Sequence, residues 1–300
     1  MLGGVKQLVE VVMSTALSQL NAILESENED RLEQLADFSA RSLENGVGAD
    51  TTFRDSLCEA VLKVIQSGEG ASKDRVRLGE ILGQLGDPRL LDPTDTNYWT
   101  RIQEDDYALE VGRHPVSHAE FAAFVNSPAF NDNEYWTPEG AAWRDSKAKS
   151  WSFLADRVDR ILLVPNQPVV GTNWYEAAAY ANFVGARLPT VSERLLIVRG
   201  AEKRPYPWGE PFGANNANTR EEVVQRPCAI GLFRSDCTPD GVWDLAGNAG
   251  EWLADTVGEQ RVFHPGSWKQ DSLASWAKAR ALEAPGHRGD DLGFRIIRDA

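Results

Sequence analysis

The sequence predicts an α+β protein with a small all-α domain at its N-terminus, and two observations carry that reading. Apolar residues recur at helical spacing through the first stretch of chain, and all 10 tryptophans lie at or beyond Trp99. Large aromatic side chains anchor cores, so their confinement to one region marks a change of architecture. The expected boundaries are 1–89 for an acidic helical domain, 90–97 for a linker and 98–300 for a second domain.

In the first region the apolar stripes are Val5, Leu8, Val9, Val12, Leu17, Leu20 and Leu24, then Leu32, Leu35 and Phe38, then Leu57, Val61, Leu62 and Ile65. Punctuation divides the region into four helices. Gly46 and Gly48 break the second, Asp50-Thr51-Thr52 caps the third, Gly68 and Gly70 stop it, Ser72 caps the fourth, and Gly86-Asp87-Pro88 ends it. Residues 1–97, linker included, carry 9 basic against 17 acidic residues. Such a module is either an adaptor for a basic partner or a structural cap whose charges solvate its outer face. The polar run Leu90–Asn97 reads as a linker, and its cleavage would make the protein a proteolytically switched regulator.

The second region opens with an extended stretch at Val111-Gly112 that turns helical after Ser117, where Glu120 completes a capping box and Phe121, Phe124 and Val125 form the buried stripe. A strand at 168–171 is expected to run into a helix capped at Thr172 or Asn173, with Ala177, Ala178 and Ala181 allowing close packing and Gly185 ending it. After extended Arg187-Leu188-Pro189-Thr190, a third helix spans Ser192 to Gly200.

The net charge of −14 disfavours nucleic acid and anionic membranes as partners. Cys58, Cys228 and Cys237 lack the spacing of a zinc or redox motif and read as reduced thiols. Lys6 and Glu10 interrupt the apolar N-terminus, and no window reaches the length of a membrane span, so a cytoplasmic location is expected.

Several signposts remain: Gly241-Val242-Trp243-Asp244-Leu245-Ala246-Gly247-Asn248-Ala249-Gly250-Glu251-Trp252, Gly266-Ser267-Trp268, Gly293-Phe294-Arg295, Arg187-Leu188-Pro189-Thr190, Pro207-Trp208-Gly209 and Ala217-Asn218. Over about residues 107 to 298 this set resembles the formylglycine-generating (sulfatase-modifying) enzyme family. The resemblance implies a C-type-lectin-like fold with short strands and long loops pinned by aromatics and ions. It departs at Arg194 and Leu195, where the family pattern has Glu-Trp-Glu.

The resemblance also implies structural calcium at Asp244, Gly247, Ala249 and Glu251, and a second site beginning at Asn218 that lacks its later aspartate. The competing reading pairs Asp244 and Glu251 with arginines such as Arg295. Catalytic relatives hold copper(I) on two cysteines after the Gly-Ser-aromatic turn, at positions that here read Gln270 and Ser275. No copper and no formylglycine-generating activity are therefore expected.

Ser267 with His264, His287 or Asp271 lacks the elbow glycines of a hydrolase. His114, His118 and Glu120 have the spacing of the iron triad in ergothioneine-synthesising oxidases, which makes a metal-dependent oxidase the rival function, although Pro115 and the capping box oppose it.

The resemblance implies that the loop from Trp268 to Leu292 forms the surface that faces a bound peptide in relatives. Trp268, Gln270, Asp271, Trp276, Lys278, Arg280, His287 and Arg288 are its candidate contacts, unless Trp276 is core and the charges merely solvate the surface. The cysteine-free pattern is also similar to variable ligand-binding proteins of diversity-generating retroelements, but Lys269, Gln270 and Glu283 do not fit adenine-directed changes at asparagine codons. The expected function is noncatalytic recognition of a protein or peptide. Family context places it in bacterial defence or signalling, with a protease or ATPase as partner.

Overall fold

The computed structural model describes residues 2–46, 50–104, 107–146, 164–222 and 224–300, with side chains from residue 12 onward. The chain divides into two compact units, Met1–Pro88 and Arg89–Ala300. Among the described residues no helix is long and apolar enough to cross a membrane.

The first unit holds α1 (Leu2–Glu25), α2 (Arg31–Glu44), α3 (Thr51–Ser67) and α4 (Ser72–Leu85). Asp50 is extended, and its carboxylate accepts the Phe53 amide at 2.9 Å, satisfying one of the donors a helix start leaves open. Gly68 ends α3 in the left-handed region at φ 71°, and Gly86 does the same for α4 at φ 101°. Ser72 is not the cap expected of it: helical geometry begins one residue earlier, so Ala71 is the cap and makes no side-chain bond. Leu35, Leu57, Val61, Leu78 and Leu82 are fully buried, with Phe38 edge-on to Phe53 at 6.1 Å. Gly48 and the side chains of Val5, Leu8 and Val9 lie outside the described residues.

In the second unit β1 (Trp99–Glu104) pairs antiparallel with β2 (Tyr107–Gly112), and β2 pairs with the C-terminal β7 (Ile297–Asp299). A second, four-stranded sheet runs β5 (Ala281–Glu283), β4 (Gln260–His264), β3 (Gly250–Val257), β6 (Leu292–Phe294), with β3 and β6 parallel. The run expected as a linker, 90–97, clusters with this unit: Leu91 packs on its core and the Trp99 indole donates to the Pro93 carbonyl at 2.8 Å.

The helices α5 (His118–Val125), α6 (Pro138–Ser146), α7 (Trp174–Phe183) and α8 (Val191–Arg199) are short, and three of them start with the same device. Ser117 with Glu120, Asn173 with Glu176, and Thr190 with Glu193 each form a capping box. Thr190 caps α8 one residue ahead of the expected start because the box fixes the helix entry. The strand expected at 168–171 is absent and leaves one isolated bridge, Ser117 to Pro168. Its backbone is satisfied by loops instead: Gly171 donates to the carbonyls of Gly289 at 2.8 Å and Leu292 at 3.1 Å.

The main core gathers Phe121, Phe124, Tyr180, Trp252 and Phe294, with Phe121 and Tyr180 each edge-on or tilted to Phe294 within 6 Å. Two indoles reach across it, Trp174 to the Leu253 carbonyl at 2.8 Å and Trp252 to the Thr172 carbonyl at 2.9 Å. Gly293 permits the closest approach, since a Cβ there would meet the Val169 carbonyl oxygen at 2.1 Å.

Glu193 links the α8 cap to the first sheet by accepting both terminal nitrogens of Arg187, which also pairs with Asp299 of β7. Burial pushes the Glu193 carboxyl up, but Arg187, Tyr107 and Thr190 outweigh it and hold the group down at about 2. Because the folded value lies below the unfolded one, this contribution is complete above the ordinary carboxylate range and disappears as pH falls through about 2. After allowance for solvent at Arg187, it amounts to about 1–2 kcal/mol. Urea titrations of wild type and Glu193→Gln should differ by that amount at neutral pH and converge as acid is added.

Candidate functional site: the arginine-held turn and the 266–292 surface

Residues 244–251 form a turn whose backbone is held from inside. Asp244 and Asn248 adopt left-handed φ angles of 56° and 69° without being glycine, a conformation that asks for local hydrogen bonds. They find them. Buried Asp236 accepts the amides of Leu245, Ala246 and Gly247 on its two oxygens, at distances of 2.9–3.2 Å. Asn248 accepts the Cys228 amide at 2.8 Å and donates back to the Cys228 carbonyl at 3.1 Å. Burial, then Asp244, push the Asp236 carboxyl up to about 7 against the pull of the three amides. Asp236 was missed in the sequence because its partners are backbone groups 9–11 residues away that carry no side-chain signature.

Glu251 sits at the end of this turn between two arginines. Arg295 Nε donates to Oε1 at 3.0 Å and Arg194 Nε to Oε2 at 3.1 Å, with all three residues buried. Arg295 also donates to the carbonyls of Gly112 at 2.7 Å and Trp243, and Arg194 to that of Leu245. Asp244 accepts the Gly231 amide at 2.7 Å and lies 3.7 Å from His114 Nδ1, whose pKa burial lowers despite that neighbour.

Where calcium was expected at Asp244, Gly247, Ala249 and Glu251, Asp244, Gly247 and Glu251 already have protein partners. A divalent cation would share Glu251 with two guanidinium groups and the Gly247 carbonyl with the Ala249 amide, which it accepts at 2.9 Å. At Asn218 the amide nitrogen donates to the Arg226 carbonyl at 2.9 Å, and Oδ1 is buried without a hydrogen-bond partner. Glu221 and Glu222 are turned away, to the amides of Ser272 and Asn215. Among the described residues no three His, Cys, Asp or Glu side chains form a metal-binding group.

The oxidase triad is not assembled either. The Glu120 carboxylate is engaged by the Ser117 amide at 2.8 Å, and His114 faces Asp244 and Trp243, so helix capping and packing use the groups that would bind iron.

After β4 the Gly266-Ser267-Trp268 turn packs closely, with a Cβ on Gly266 only 2.5 Å from the Ala246 carbonyl oxygen. Ser267 donates to Asp291 at 2.7 Å, while His264 accepts the Gly266 amide on Nδ1 at 3.2 Å and meets the Trp276 carbonyl through Nε2 at 3.1 Å. Among the described residues Ser267 is therefore not hydrogen-bonded to a histidine. Gln270 is exposed, with its carbonyl taking the Arg220 amide at 2.9 Å, and Ser275 is buried on the Asp271 carbonyl. Neither offers the soft sulfur that copper(I) requires.

The candidate contacts divide. Trp276 is not core: it is 45% exposed beside Leu273 at 78%, with the Lys278 ammonium 5.6 Å from its ring centre. Arg280 is exposed, and Asp271 pairs with Arg220 at 3.1 Å at the loop's other end. Trp268 is half-buried under Lys269, whose ammonium is 5.3 Å from the ring centre, and His287 lies 3.8 Å from Glu283. Arg288 is withdrawn from the surface. It forms a buried ion pair with Glu176 and covers Trp143, so it anchors the loop to α7.

Removing one partner of a buried ion cluster strands the remaining charge, at a cost of about 3–5 kcal/mol. Glu251→Ala leaves two guanidinium groups unpaired and should lose stability in that range by urea denaturation. Glu251→Gln, which keeps one acceptor oxygen, should lose less.

Similarity to known proteins identifies the family and the fold. The model of the sulfatase-modifying factor enzyme 1-like domain matches residues 94–300. The chain is 25% identical over 222 residues to hercynine oxygenase of Mycolicibacterium thermoresistibile, covering 63% of this chain and 48% of that one. It is 29% identical over 227 residues to inactive Cα-formylglycine-generating enzyme 2 of Mus musculus, covering 69% and 73%. The chain thus spans only about a third to a half of the length of several curated relatives. The structure of PvdO from Pseudomonas aeruginosa superposes with a TM-score of 0.51 at 20% identity, covering 67% of this chain and 90% of that one, which establishes the shared fold. With an arginine-held turn on that fold and the family pattern across residues 94–300, the chain belongs to the sulfatase-modifying factor enzyme 1-like family.

Proposed function

We propose that this protein is a noncatalytic recognition module that binds a protein or peptide through the 268–292 surface. One observation carries the reading: Trp276 and Leu273 stand exposed on a loop whose cysteine positions are Gln270 and Ser275. An exposed aromatic next to an aliphatic side chain and unpaired cations is the composition of a binding hot spot rather than of a solvated surface. The similarity to a mouse protein named as an inactive formylglycine-generating enzyme shows that the scaffold occurs without that activity in a relative. A protease or ATPase of a bacterial defence or signalling system is the partner class the reading favours, with the acidic helices as a second contact.

Affinity capture from the native host with wild-type protein, repeated with Trp276→Ala plus Leu273→Ala, tests it. Loss of the two anchors should weaken partner binding by about tenfold or more. Unchanged capture would remove the surface assignment, and conversion of a cysteine peptide to the aldehyde would remove the noncatalytic one.

The rival oxidase reading rests on the similarity to hercynine oxygenase. Elemental analysis of protein purified without added metal separates the two: iron or copper near one per chain would favour the oxidase. For calcium, the arginine pairing of Glu251 leads to a definite outcome. Chelation should leave the melting temperature unchanged, whereas a fall of about 4 °C or more would show bound calcium contributing to stability.

A further inference from the structure

We propose that the cleft between α8, Leu253 of β3 and residues 277–280 binds the carboxylate of an acidic peptide. The inference rests on the peptide-recognition reading above and names the chemistry of its ligand. The cleft encloses about 270 Å³, with Leu195, Leu253 and Ala277 as apolar walls and Arg194, Lys278 and Arg280 as polar lining. No acidic side chain lines it, and Asp255, at the α8 end, is engaged by the Val191 amide at 2.7 Å.

Arg194 gives the cleft its character. It is 3% exposed, with Nε held by Glu251 and Nη2 by the Leu245 carbonyl, and its Nη1 has no hydrogen-bond partner. A buried guanidinium nitrogen left open in this way is costly unless an acceptor completes it. Lys278 and Arg280 are exposed and form no ion pair among the described residues. Arg194, with the exposed Lys278 and Arg280, lines a space suited to a single side chain, with apolar walls for methylene groups and cations for a carboxylate. Ala277, which lines the cleft, follows the exposed Trp276 directly in the chain.

The probe is acetyl-Gly-Leu-Glu-Leu-Gly-amide, titrated into the full chain and followed by 1H–15N NMR at the Ala277 and Ala279 amides. It is compared with the same peptide carrying Gln, and with acetyl-Gly-Leu-Leu-Gly ending in a free carboxylate. The Glu peptide should bind about tenfold more tightly than the Gln peptide and weaken as salt is raised. Lys278→Glu and Arg280→Glu, both at exposed positions, should each weaken it about fivefold or more. These variants avoid Arg194, whose loss would disturb Glu251. Preference for the free-carboxylate peptide would support the same pocket and assign it to a chain end. Equal binding of Glu and Gln peptides, indifference to both charge reversals, or no binding at all would overturn the carboxylate pocket. None of those results would alter the capture test at Trp276 and Leu273, which decides the recognition surface separately.

Discussion

One carboxylate shared by two arginines organises the second unit. Glu251 stands at the start of β3, Arg194 comes from α8 and Arg295 follows β6. Through their remaining nitrogens the arginines reach the carbonyls of Gly112, Trp243 and Leu245, so three strands, a helix and the 244–251 turn meet at one cluster. Charges this deeply buried survive only when paired and hydrogen-bonded, and Glu251 with the loop carbonyls engages every guanidinium nitrogen of the two arginines except Arg194 Nη1. The cluster therefore specifies the turn as much as it stabilises it, since any other register would leave a guanidinium or a carbonyl without a partner.

The same logic runs through the rest of a unit whose strands are short and whose loops are long. Backbone groups that cannot pair in ladders are satisfied by side chains: Asp236 under the turn, Asn248 on Cys228, and the capping boxes at Ser117, Asn173 and Thr190. Indoles do similar work across the core, where Trp174 and Trp252 each donate to a distant carbonyl. Among the described residues these side chains hold the loops in place, so the surface is free to change chemistry while the interior stays the same.

That separation explains how a family containing oxidases accommodates this chain. Redox chemistry at copper depends on two sulfurs at two loop positions, whereas the fold depends on the arginine cluster and on glycines at close approaches, such as Gly293 against Val169. Gln270 and Ser275 alter the former and leave the latter intact. In the recognition role proposed above, the exposed Trp276 and Leu273 are the anchors and the Arg194 cleft supplies the charge preference.

Much of this was legible in the sequence. Helix starts such as Ser117 with Glu120 and stops such as Gly68 are local events, decided by a few neighbouring residues, and the signposts from Gly241 to Arg295 carry the fold. Long-range pairing is not local. Arg194 reads as a departure from the family pattern, Arg288 as a candidate surface contact, and Asp236 carries no motif, until the tertiary structure brings each to a partner 11 to 112 residues away. Trp276 could equally have been core by composition, and only the packing of the finished fold leaves it exposed. The sequence by itself determined the two regions, the capped helices and the absence of cysteine beyond Cys237. The tertiary structure decided which charges neutralise one another, because the energy of a buried charge depends on what surrounds it in space and not on its neighbours along the chain.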